Sequence, residues 1–108
     1  MLLKKRRTLE LYKSAGAKMR LYKSLGAKLV TEISCVLSAT DTEKLMRAMD
    51  KIDEVCSRAE DNMFNDHPEI SDEYVDVFYG AVSDEPRNDL DAEMVQRARK
   101  AADDVFHA

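Results

Sequence analysis

Apolar residues at alternating intervals of four and three constrain this chain more than any other feature. Ala15, Met19, Tyr22, Gly26, Leu29, Ile33 and Val36 keep that spacing through the first third of the sequence, and Leu25, Val30 and Leu37 widen the stripe. Leu45, Met49, Ile52, Cys56, Ala59 and Met63 repeat it further on. A strand would place such residues alternately on two faces, whereas a helix gathers them into one seam. The chain is therefore expected to be all-α, an antiparallel bundle of three to four helices with a long N-terminal helix. With 108 residues it has the size of one domain, and its three Gly and two Pro are too few for the turns of a strand-rich fold.

The seam runs through a near-duplication, LYKSAGAKMR followed by LYKSLGAKLV over residues 11–30. Ten residues advance a helix by about 280° beyond whole turns, so the copies face different ways and do not form a stacking repeat. The first helix is expected over residues 8–37. Gly16 and Gly26 each weaken it by about 1 kcal/mol relative to Ala. Gly26 lies on the seam, where a missing side chain admits a neighbouring helix.

Thr40-Asp41-Thr42-Glu43 reads as a capping box opening the second helix, which Pro68 closes. Lys44, Arg47, Lys51, Glu54, Arg58 and Asp61 form its polar face. Ser71 is the expected cap of a third helix, whose buried stripe would be Tyr74, Val75, Phe78, Ala81 and Val82. A fourth helix starts near Asn88 or Asp89 and runs to about Phe106, with Leu90, Met94, Ala98, Ala101 and Val105 inward. The third and fourth helices are shorter than the first, so part of the first seam is left for a partner. Met19, Tyr22, Leu29, Ile33 and Val36 are the residues assigned to this core or homodimer seam.

Charge is distributed unevenly. Residues 1–30 hold nine Lys and Arg against Glu10 alone, whereas the rest of the chain holds eight basic and twenty acidic residues; the net charge is −4. A basic arm over residues 1–10 and a bundle domain over residues 11–108 are expected. Lys4, Lys5, Arg6, Arg7, Lys13 and Arg20 are its candidate partner-binding residues. Lys13, Lys18, Lys23 and Lys28 fall at intervals of five and spread around a helix. No base-stacking aromatic platform accompanies the arm, which favours a protein partner over nucleic acid. A membrane-surface role ranks lower, because Leu2, Leu3, Leu9 and Leu11 make a poor apolar face.

Catalytic and cofactor motifs are sparse. SLGAK lacks the full phosphate-loop pattern. The stretch from Asp61 to Asp72 fails as a calcium loop, because Met63 sits at a ligand position and Asp66 where glycine is needed. His67 and His107 have no nucleophile within reach by pattern. Cys35 and Cys56 lie within apolar helical spacings and are expected to be reduced and buried. No apolar run approaches the roughly 20 residues of a membrane span, and MLLKKRR is not followed by a secretory apolar segment. A cytoplasmic location is expected.

The acids carry one resemblance to a known enzyme family. Asp50 and Asp53 share a face of the second helix, and Glu73 and Asp76 share a face of the third. Glu73-Tyr74-Val75-Asp76, followed by Val77-Phe78-Tyr79, is similar to the second motif of the all-α nucleoside triphosphate pyrophosphohydrolases of the MazG type. Asp89-Leu90-Asp91-Ala92-Glu93 resembles the start of their last helix. Asp50-Lys51-Ile52-Asp53 stands where that family has two glutamates. The resemblance implies a dimer in which Asp50, Asp53, Glu73 and Asp76 hold Mg²⁺. Ser71-Asp72 with Phe78-Tyr79 and Ala81 also resembles a segment of the small Hha-type nucleoid regulators, which act by binding another regulator. The leading expectation is a non-enzymatic interaction or regulatory module needing no cofactor, with the Mg²⁺-dependent hydrolase as the alternative.

Overall fold

A computed structural model describes residues 2–80 and 85–107, with the side chains of Phe106 and His107 excepted. The described residues are all-helical and contain no strand. Three α-helices follow one another: α1 over Leu9–Ile33, α2 over Ala39–Asp66 and α3 over Asp89–His107. A 3-10 turn over Lys4–Arg6 precedes α1, and a second over Asp72–Val77 lies between α2 and α3.

Each α-helix starts at a side-chain oxygen. Thr8 Oγ1 accepts from the Leu11 amide at 3.1 Å. Ser38 Oγ accepts from the Asp41 amide at 3.1 Å, and Asn88 Oδ1 from the Asp91 amide at 2.7 Å. These bonds satisfy amides that have no partner within the helix. Ser38 thus takes the capping role expected of Thr40, and α2 begins two residues earlier, at Ala39; Glu43 pairs instead with Arg47 at 2.7 Å. Helix α1 stops at Ile33 rather than Leu37. There the Ser34 hydroxyl donates to the Thr31 carbonyl at 2.8 Å, and a turn leads into α2.

The expected third helix is instead a six-residue 3-10 turn. Asp76, Val77 and Phe78 are buried in succession. An α-helix with one packed stripe does not bury three consecutive residues, whereas a short wedge between α1 and α3 can. Ala81 and Val82, assigned to the same stripe, lie outside the described residues.

The core forms where α1, α2, the wedge and α3 meet. Ala17, Cys56, Met63, Val77, Phe78, Leu90, Met94 and Ala98 are its buried members. Gly16 permits the closest approach, because a Cβ there would stand 2.6 Å from Val77 Cγ1 and against the Val77 carbonyl. Gly26 receives the Met49 thioether in the same way, so the close approach expected at this glycine comes from α2. Toward the turn between α1 and α2 the core ends. From Leu21 to Val55 no side chain is fully buried.

Candidate interaction surface

Burial divides the heptad seam of α1. Met19 packs against the core and Ile33 is half-buried. Tyr22 is 57% exposed, Leu29 43% and Val36 75%. Leu11 and Leu25 are also exposed, and Ala15 lies open beside them. With Lys18 and Glu32 these residues form a second heptad frame on the outer side of α1: Leu11, Ala15, Lys18, Tyr22, Leu25, Leu29 and Glu32, at intervals of four and three; Val36 lies beyond it, in the turn after the helix. Beside it Leu11, Ala15, Met19, Val55 and Ala59 line a groove of about 410 Å³ that is nearly all apolar. Contiguous exposed apolar surface of this kind marks sites of association. Reading the sequence in one frame merged the inner and outer stripes; the adjacent frame through Leu11 and Leu25 was the signal for the outer one.

The basic arm is partly tied down. Lys4, Lys5 and Arg6 are exposed. Arg7 forms a two-pronged ion pair with Asp66 at the end of α2, through Nε at 2.6 Å and a terminal nitrogen at 2.8 Å. The Tyr12 hydroxyl donates to the same carboxylate, and His67 Nε2 lies 2.7 Å from the Arg7 carbonyl oxygen. The hydrogen bonds from Arg7 and Tyr12 hold the Asp66 carboxyl below the usual carboxylate range. Burial, together with the bond to Asp66, pushes the Tyr12 phenol up to about 12. Lys13 pairs with Glu93 at 3.0 Å.

Arg20, placed by the sequence among the partner-binding cations, is fully buried and faces inward. Its guanidinium lies 2.7 Å from the Asp91 carboxylate and donates to the Asp76 carbonyl and, at 3.3 Å, to the Tyr79 carbonyl. Gly80, with φ +155°, lets the backbone pass against it; a Cβ there would stand 2.6 Å from the guanidinium carbon. Arg87 seals the cluster, donating to Asp76 at 2.6 Å through its side chain and to Asp91 at 2.9 Å through its amide. Burial pushes the Asp91 carboxyl up, but the Arg87 amide and the Arg20 and Arg87 charges hold it below the usual range. The Asp76 and Tyr79 carbonyls and the Asp91 carboxylate supply partners to the terminal nitrogens of this buried guanidinium.

The four acids of the hydrolase reading do not gather at one site. Asp50, Asp53 and Glu73 are exposed. Asp53 lies 3.4 Å from Lys23. Asp76 is buried, its two carboxylate oxygens taken by Arg87 and, at 2.9 Å, by Asn88. Among the described residues no three Asp, Glu, His or Cys side chains gather where they could hold a metal ion. Cys56 is buried and its thiol is pushed up by that burial, whereas Cys35 is exposed in the turn between α1 and α2, contrary to expectation. Among the described residues no helix is long and apolar enough to cross a membrane. Compared with known proteins, the chain matches no known family, no curated protein and no solved structure.

Proposed function

We propose that this chain is a non-enzymatic helical interaction module of the cytoplasm with a regulatory role. It dimerises through α1 and offers a basic arm and an acidic bundle surface to a protein partner. The exposed apolar run Leu11, Tyr22, Leu25 and Leu29 carries this reading. Four large apolar side chains on one helix face gain by leaving water, and a second surface is the means. The antiparallel bundle assumed here is supported by residue pairs that step outward from the turn: Gly26 with Met49, Lys23 with Asp53, and Arg7 with Asp66. Lys4, Lys5 and Arg6 extend beyond the Arg7–Asp66 tether, so they are free to meet an acidic surface.

Sedimentation equilibrium tests the first part. The protein is expected to sediment as a dimer, and Leu25→Glu as a folded monomer. A wild-type monomer at every concentration would remove the reading. Thermal unfolding with Mg²⁺ and nucleoside triphosphates tests it against the hydrolase. A ligand at 100 times its dissociation constant stabilises by about 2.7 kcal/mol, and no such shift is expected.

A further inference from the structure

The outer frame of α1 is apolar at five of its seven positions; the exceptions are Lys18 and Glu32. Both side chains are exposed, and among the described residues neither forms an ion pair. A lone charge within a seam specifies how that seam pairs. We propose that α1 pairs with α1 of a second copy in antiparallel register about a two-fold axis at the Tyr22–Leu25 layer, so that Lys18 of each copy meets Glu32 of the other. This inference rests on reading α1 as the dimer element, and it names the register.

Antiparallel seams pair the first apolar position of a heptad with the fourth of the facing helix. In the frame from Leu11 to Glu32, one register then pairs every position from Ala15 to Glu32. Tyr22 faces Leu25 of the second copy, Leu29 faces Lys18, and Ala15 faces Glu32. Lys18 and the facing Glu32 are separated by one layer, about 4.5 Å along the axis at 1.5 Å per residue. A lysine stem spans that distance, and the small Ala15 side chain leaves room for it. The two-fold makes the contact twice, as a self-complementary patch requires. The parallel alternative sets Lys18 against Lys18 and Glu32 against Glu32, placing like charges together along the seam. Unlike charges in one direction and like charges in the other decide the orientation.

Charge exchange tests the register by sedimentation equilibrium, with circular dichroism confirming that each variant is folded. Lys18→Glu and Glu32→Lys, each alone, are expected to weaken the dimer by about tenfold or more. The double variant K18E/E32K is expected to recover wild-type affinity, because it restores both pairs with their signs exchanged. In a parallel dimer each single change leaves like charges facing, as in the wild type, and the double change rescues nothing. Single changes without effect, or a double variant as weak as the singles, would overturn the register while leaving the α1 dimer standing. A wild-type monomer, or a Leu25→Glu variant that still dimerises, would instead remove the dimer reading itself and assign the seam to another occupant.

Discussion

Arg20 is where a single side chain organises most of the fold. It bridges Asp91 on α3 and the Asp76 carbonyl of the wedge from a fully buried position. Arg20→Ala leaves Asp91 buried beside a void, and removing one partner of a buried pair costs about 3–5 kcal/mol. Urea unfolding should show that loss in its midpoint. Two glycines on the same helix should respond oppositely to alanine. At Gly16 the new methyl meets the Val77 backbone, which cannot yield, so crowding of about 1–3 kcal/mol outweighs the gain in helix propensity. At Gly26 it meets the far end of the Met49 side chain, which can swing away, leaving a gain of up to about 1 kcal/mol. Paired denaturation curves settle both signs. Tyr12 supplies a pH signature: its phenol ionises near pH 10.0 unfolded and about 12 folded. The stability linked to it is therefore full below pH 10.0 and lost as pH rises toward about 12. Absorbance titration should show one late tyrosine, absent in Tyr12→Phe. Asp66 and Asp91 have lowered values, so their contribution is lost as pH falls below the ordinary carboxylate value of 3.8.

Helices α1, α2 and α3 were legible because heptad spacing and capping residues are local, and local signals survive folding. The boundaries were less so. Two hydroxyls, Ser38 and Thr40, competed for one cap, and only the Asp41 amide identifies the winner. Ser38→Ala should lower stability by about 1 kcal/mol and Thr40→Ala by much less, as thermal melts would show. The wedge at Asp72–Val77 was read as a longer helix because Tyr74, Val75 and Phe78 fit that period. The contacts that override the period come from Arg20 and Arg87, each outside the segment. Arg20 was misplaced for the same reason: a cation at helical spacing carries no sign of the acid that will bury it. The outer seam could be read from spacing, but its separation from the inner one required knowing where α2 packs.

At the scale of the whole molecule, the imbalance of charge along the chain becomes attraction within it. Arg7 with Asp66, Lys13 with Glu93 and Lys23 with Asp53 join the basic first helix to the acidic remainder. Lys4, Lys5 and Arg6 at the N-terminus, and Lys18 and Lys28 on α1, keep their charges exposed. The molecule is elongated, about 47 Å in its longest dimension. Its buried side chains gather at one end, because the recorded ion pairs of α3 with α1 fall between Glu10 and Arg20.

The stretch from Leu21 to Val55 without a fully buried side chain implies that resistance to opening is graded along the long axis. Amide protons around the turn at Ser34–Ser38 should exchange with deuterium through small, frequent openings, while those near Arg20 and Met94 wait for the whole molecule to come apart. Association along α1 would bring the loose end of each copy under the firm end of the other. Protection rising with protein concentration between Leu21 and Ile33, through openings that in the monomer need no global unfolding, would record that exchange of support.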